Sequence, residues 1–231
     1  MSYVIAAPAQ ASIPVKDTHV RFPVRRIYCV GRNYNDHVVE MGGVPGREPP
    51  FFFQKPPDAT LVGADFPYPP RTSNLHHEVE LVVALGTGGK NIPVADAEAH
   101  IYGYAVGIDM TRRDLQAEAK KLARPWDVAK AFDHSAPVSE ILPRSEIVGP
   151  LSNAVITLRV NGEEKQHSNI SEMIWGVAEI ISQLSQLFEL HGGDIIFTGT
   201  PSGVGPLLPG DLVEAKIAGI GELNLRVYKL S

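Results

Sequence analysis

The sequence predicts an α+β domain in which strands outnumber helices, and three observations carry that expectation. The 231 residues include 21 glycines and 19 prolines, a density of turn-formers that leaves little room for long helices. Short apolar, β-branched runs of strand length recur, among them Val79–Leu85, Ile101–Ile108 and Asp194–Phe197. One segment, 171–190, repeats Ile174, Val177, Ile181, Leu184 and Phe188 at helical spacing. With 44% hydrophobic residues the chain can bury a proper core, and one large domain over 25–231 is the expectation, preceded by an extended arm at 1–24.

The formal net charge of -5 and a pI near 5.9, with no basic tract, argue against a nucleic-acid or anionic-membrane binder and favour small-molecule chemistry. A single cysteine, Cys29, rules out an internal disulfide framework; it reads as a buried structural thiol in a reducing, cytoplasmic setting. No run approaches transmembrane length, and the first residues lack a charged n-region and a long apolar core.

Taken in order, the arm is punctuated by Pro8, Pro14 and Pro23, and Ile27-Tyr28-Cys29-Val30 is a short strand stopped at Gly31. Asn35 or Asp36 is expected to cap a short helix ended by Gly42-Gly43. Such a helix sets His37 and Glu40 three apart on one face, as an acid–base dyad or as an ordinary surface pair. The proline-rich segment 45–70 excludes a helix of any length. Its Gln54-Lys55-Pro56-Pro57 suits a pocket wall, and Phe51 or Phe53 suits core packing.

The strand Val79–Leu85 is led by two carboxylates. Period two points Glu78 and Glu80 the same way, where burial without a partner would cost several kcal/mol each. A hard divalent ion, Mg²⁺ or Mn²⁺ before Zn²⁺, satisfies both; the spacing fits equally a strand with both residues on its solvent face. Residues 86–90 form a glycine-rich turn, and no P-loop or dinucleotide fingerprint occurs. After a helical turn at 95–100, Ile101–Ile108 ends in Asp109, either the third oxygen ligand or the cap of a helix at 111–122. That helix places Arg113 and Gln116 on one face, able to grip a carboxylate, with Arg112, Lys120 and Lys121 solvated.

Arg124-Pro125-Trp126 breaks the helix. Beyond it Lys130, between small and apolar neighbours, either stabilises an oxyanion or snorkels to the surface. Val155–Val160 followed by Asn161-Gly162 is a hairpin signal. The helix at 171–190 is expected to be capped by Ser171, ended by Gly192-Gly193, and to serve core or interface. The strand Asp194–Phe197 then leads into 198–205, an anion-binding turn around Thr200 or a plain glycine turn. Strands at 212–217 and 222–230 close the chain.

An ordered set of motifs resembles the fumarylacetoacetate hydrolase family over about 25–230. It comprises Gly31-Arg32-Asn33-Tyr34 with His37 and Glu40, Phe53-Gln54-Lys55-Pro56, His77-Glu78-Val79-Glu80, and Gly107-Ile108-Asp109-Met110-Thr111. Gly192 with Asp194, and Thr198-Gly199-Thr200-Pro201 with Gly203-Val204-Gly205, complete it. The resemblance implies a mixed β-roll, a homodimer, and Mg²⁺ or Mn²⁺ held by Glu78, Glu80 and Asp109. It also implies a small single-domain acylpyruvate hydrolase whose His37–Glu40 pair rides on a lid that closes over substrate. Within the family, segments 26–31 and 48–53 are most similar to bacterial fumarylpyruvate hydrolases of aromatic catabolism.

The expected reaction is hydrolysis of a carbon–carbon bond in a 2,4-dioxo acid, giving pyruvate and a second acid. In that scheme His37, held by Glu40, activates water and Lys130 holds the oxyanion or enolate. Arg113 and Gln116 take the pyruvyl end, with Thr200 at the turn. An isomerase or oxaloacetate-type decarboxylase on the same platform is the nearest alternative, and a non-catalytic metal-dependent binding module is one from another class.

Overall fold

The computed structural model describes residues 3–63, 65–149 and 151–229. Val79–Leu85 lies inside a six-stranded sheet whose order is Leu142–Pro143, Ile101–Ile108, Val79–Leu85, Asp194–Phe197, Arg26–Gly31, Phe51–Lys55. All its pairings are antiparallel except that of Asp194–Phe197 with Arg26–Gly31. A second sheet runs Glu163–Asn169, Val155–Val160, Leu212–Ile217, Gly221–Lys229, Phe66–Tyr68, with its last pair parallel. Strands dominate, helices are few, and the mixed α+β roll matches the class expected from the sequence.

Side-chain parity decides what each face of the central strand meets. Val79, Leu81, Val83 and Leu85 enter the larger core, which they share with Ile156, Leu158, Val213 and Leu225 of the second sheet. Val82 and Ala84 enter a smaller core with Ile27, Cys29, Ala105 and Phe197. Continued back along the strand, the same parity carries Glu80 to the side of the smaller core. A strand buried on both faces reads as an unbroken apolar run, which is why Val79–Leu85 shows no polar alternation beyond Glu80. Cys29 is fully buried and free.

The arm is more structured than its sequence suggests. Ser12–Pro14 pairs antiparallel with Arg21–Pro23, and Ile13, Val15, Phe22 and Val24 are buried in the smaller core. Strands of three residues are too short for period two to register in a sequence.

Three helix boundaries differ from expectation, each because tertiary pairing overrides local propensity. The helix expected over 171–190 is Val177–Leu187, begun at Gly176, whose N–H donates to Glu179 at 3.1 Å. Ser171 instead sits in a one-turn 3-10 helix, because the backbone of 173–175 is taken by Tyr34 and Asn33. Asp109 caps no helix: Thr111–Arg112 pairs with Leu75–His77, and the helix is Arg113–Lys121 without a side-chain cap. The short helix Asn35–Glu40 begins at extended Tyr34, so neither Asn35 nor Asp36 caps it. The hairpin turn is as expected, with Asn161 and Gly162 at φ 52° and 81°. Among the described residues no helix is long and apolar enough to cross a membrane.

Candidate active site

Glu78 lies between Leu75–His77 and Val79–Leu85, and Asp109 directly follows Ile101–Ile108. The two strands are in register as Val79↔Ile108 and Glu80↔Gly107, and the Asp109 N–H donates to the Glu78 carbonyl at 2.8 Å. This pairing brings a carboxylate oxygen from each of Glu78, Glu80 and Asp109 within 4.8 Å of the others. All three are buried, at 4%, 2% and 1% exposure, so the solvent-face arrangement is not the one adopted.

Cations surround the cluster unevenly. Lys130 Nζ lies 2.7 Å from both Glu78 Oε2 and Asp109 Oδ2, and 2.6 Å from Thr111 Oγ1. At 2% exposure, on the short helix Asp127–Lys130, it does not snorkel. The Arg113 guanidinium binds the other Glu78 oxygen and donates to Gln116 Oε1 at 2.7 Å, so the carboxylate it grips here is the protein's own. Lys55 Nζ lies 2.8 Å from Asp109 Oδ1 and donates to the carbonyls of Met110 and Lys130. Among the described residues Glu80 has no such partner; it accepts one hydrogen bond from them, from the Gly199 N–H at 2.7 Å.

The protonation equilibria follow this asymmetry. Burial raises the Glu78 carboxyl, but the charges of Lys130 and Arg113 outweigh it and hold the group well below the usual range. Burial, reinforced by the charges of Asp109 and Glu78, pushes Glu80 well up. Burial lowers the Lys130 ammonium, yet Asp109 and Glu78 more than compensate and keep it charged.

The donor set is oxygen only, one carboxylate lacks a cation, and Asp109 Oδ1 is buried without a hydrogen-bond donor in acceptable geometry. A hard divalent ion such as Mg²⁺ or Mn²⁺ fits this set, since it would let Glu80 ionise and occupy the idle lone pairs.

His37 and Glu40 line up as the spacing requires. His37 Nδ1 is 2.9 Å from Glu40 Oε2, and Glu40 Oε1 accepts the Gly203 N–H at 2.9 Å, which ties the dyad to the turn at 198–205. His37 is buried and lines the same cavity as Glu78, Glu80, Asp109, Arg113, Gln116, Lys130 and Thr200. With Nδ1 engaged by Glu40, Nε2 is the ring nitrogen left for other chemistry. The Thr200 hydroxyl is committed to the protein: it donates to the Val79 carbonyl and accepts from Gln166 Nε2, both at 2.8 Å.

Several residues around the site have roles that sequence reasoning did not assign, although it placed Lys55 in a pocket wall, Asn33 in a family motif and Lys120 in solvent. Lys55 shares parity with Phe53 at the end of an aromatic strand, and a lysine in that position signals a buried ion pair. Gln166 left no local trace: its partners are His77, Val79, Thr200 and Pro201, all remote in sequence. Asn33 accepts the Trp175 N–H and donates to the carbonyls of Trp175 and Thr198, which fixes the loop before the dyad. Lys120 lines the cavity beside Phe53, Trp126 and Arg32. Arg112 is half-buried, its guanidinium 4.3 Å from the Phe132 ring centroid, in contrast to the solvated position expected for it.

Comparison with known proteins agrees with this construction. The model of the fumarylacetoacetate hydrolase C-terminal domain matches residues 26–228. A fumarylpyruvate hydrolase of a Ralstonia species is 47% identical over 182 residues, covering 78% of this chain and 93% of the relative. A mitochondrial oxaloacetate tautomerase of Mus musculus is 43% identical over 205 residues, covering 89% and 92%. The crystal structure of fumarylpyruvate hydrolase from Pseudomonas aeruginosa in complex with Mn²⁺ and pyruvate superposes with a TM-score of 0.96 at 48% identity, covering 99% of this chain and all of the other.

Proposed function

This chain belongs to the fumarylacetoacetate hydrolase family, and from that premise we propose that it is a metal-dependent hydrolase that splits fumarylpyruvate, or a related acylpyruvate, into pyruvate and a carboxylic acid. The observation that carries the reading is one cavity holding a buried acidic triad, in which Glu80 pairs with no cation among the described residues, together with a His–Glu dyad.

In this reading Glu78, Glu80 and Asp109 hold Mg²⁺ or Mn²⁺. When bound, such an ion supplies Lewis acidity toward the oxygens of a 2-oxo acid. Charge accounting favours an anionic substrate. The three acids face three cations in Lys55, Arg113 and Lys130, so a divalent ion would leave the site with two positive charges, and a 2,4-dioxo acid offsets one through its carboxylate and the other once it is an enolate.

The chain's own residues then manage protons and orientation. Glu40 holds the His37 ring so that Nε2 takes a proton from water. The oxygen so freed bonds to carbon 4 of the dioxo acid, and the bond between carbons 3 and 4 breaks. Its electron pair stays with the pyruvyl fragment, which takes up a proton to become pyruvate, while the acyl fragment leaves as carboxylate. Lys130 stabilises the negative charge that develops, Arg113 and Gln116 orient the pyruvyl end, and Thr200 fixes the turn that faces it. Residues 25–231 form the catalytic domain, with 1–24 as an arm. The protein acts as a cytoplasmic homodimer in the breakdown of aromatic compounds.

The likeness to an oxaloacetate tautomerase favours a second reading, isomerisation or decarboxylation of oxaloacetate on the same site. A product assay of the magnesium-loaded protein with fumarylpyruvate, acetylpyruvate and oxaloacetate separates them. Release of pyruvate with fumarate is expected. Turnover of oxaloacetate alone overturns hydrolysis in favour of the second reading, and no turnover of any leaves a metal-dependent binding module.

A further inference from the structure

Of the cations that line the catalytic cavity, Arg113 pairs with Glu78, and Lys130 with Glu78 and Asp109, beside the pyruvyl end of the proposed substrate. Arg32 and Lys120 line it too, and neither makes an ion pair or a side-chain hydrogen bond to any described residue. Both side chains are exposed at the edge of that cavity, and burial first, then the charges of Arg113 and Arg32, hold the Lys120 ammonium below its usual value. An anion entering the cavity would therefore meet two cations that no carboxylate among the described residues already holds.

The backbone holds Arg32 in place. Its φ is 60°, a left-handed conformation that a side chain beyond Asn, Asp or Gly seldom adopts, and the neighbouring Asn33 amide pins the loop there through Trp175 and Thr198. The path from the catalytic centre to Lys120 is paved with aromatic rings. Lys130 Nζ lies 5.2 Å from the Phe53 centroid, Phe53 and Trp126 are 6.0 Å apart, and Lys120 Nζ lies 5.1 Å from the Trp126 centroid.

We propose that Arg32 and Lys120 form a second anion subsite that binds the carboxylate at the far end of the acyl group, with Phe53 and Trp126 flanking a flat, unsaturated tail. The inference rests on the hydrolase reading above and deepens it: the chain selects dicarboxylic dioxo acids such as fumarylpyruvate over acylpyruvates with a neutral tail. A charge-assisted contact of this kind changes affinity by roughly tenfold or more.

The test uses the magnesium-loaded protein, its Arg32→Gln and Lys120→Gln variants and the double variant, each checked by thermal melting. The readout is the ratio of kcat/KM for fumarylpyruvate to that for acetylpyruvate. A drop in that ratio of about tenfold in each single variant, carried by KM and partly restored by Arg32→Lys, is the expected result. An unchanged ratio overturns the subsite and leaves both groups as solvated cations. Calorimetric titration with fumarate provides an arm that needs no turnover. Weaker fumarate binding in the variants of a protein that hydrolyses neither substrate keeps the anion site and rejects the hydrolase reading. Fumarate affinity unaltered by both substitutions rejects the subsite whatever the turnover.

Discussion

The acidic triad and the His–Glu dyad share a cavity but are built in opposite ways. Each acid stands on or beside a central strand, and backbone bonds fix its setting: Asp109 N–H to the Glu78 carbonyl, Gly199 N–H to Glu80. The dyad rides on a six-residue helix without a side-chain cap, between Tyr34 and the glycines at 42 and 43. That segment is moored at a few points: the Asn33 amide, the Gly203 N–H on Glu40, and Arg47 on Glu179. Residues 44–49 beyond it are exposed. Ligands to an ion must hold their spacing through the whole cycle, whereas a proton acceptor need be in place only once water and substrate are present. Under the proposed mechanism this contrast predicts a rigid sheet and a mobile helix.

Substitutions that break one region and spare the other test this division. The largest effect is expected from Glu80→Ala, which should lower magnesium affinity by about 100-fold or more while the fold survives, because the group removed has no cationic partner. Calorimetry that shows wild-type affinity would remove Glu80 from the ligand set. His37→Ala should cost roughly 10²–10⁴ in kcat and leave magnesium and oxalate binding intact; a wild-type kcat would exclude it as base.

A third measurement sharpens the account of Glu80 through pH. The buried carboxyl has a pKa raised above its unfolded value of 4.5, so the native state binds the extra proton and metal-free stability falls as pH rises past 4.5 toward the folded pKa. His76 acts oppositely, since burial and Arg113 lower it to about 4 and its contribution grows until about pH 6.5. Comparison with Glu80→Gln isolates the carboxyl from the other titrating groups: the Tm increment from saturating Mg²⁺ should increase as pH rises above 4.5, and Glu80→Gln should abolish that part of the increase; an increment that shrinks with pH contradicts the raised pKa. The smallest effect is expected from Arg47→Ala, which severs an exposed tie of the helix segment. It should leave Tm within a degree or two, given the ~0–1 kcal/mol value of such pairs, and shift KM more than kcat. A loss of several degrees would mean that the segment is part of the core after all.

The shared side of Glu78 and Glu80 was legible because strand parity is a local rule, but parity left their solvent exposure open, and the family resemblance supplied the triad. Glu78 and Glu80 flank one residue, and Asp109 closes an apolar run. The dyad was legible for a similar reason, three residues being one turn of helix. Where helices begin was not legible: Asn33 and Tyr34 recruit the backbone of 173–175 from across the chain and cut short a periodicity that continues into Ile174. The counter-charges were only partly legible. Lys130 stood out among small neighbours, but nothing near Lys55 reveals that its partner is Asp109, 54 positions away and reached through sheet pairing.

Gln166 belongs to the hairpin of the other sheet, yet its carboxamide accepts from the Val79 N–H at 3.0 Å and faces His77 Nδ1 at the same distance, and it donates to Thr200 Oγ1 and the Pro201 carbonyl. Both halves of the amide are saturated in one orientation, so turning it over would set its NH₂ against the N–H of Val79. The gap between the acid-bearing strand and the glycine turn is therefore gauged by a residue outside the cavity lining, and widening the cleft for a bulkier acyl group begins at this spacer rather than among the groups that meet the substrate.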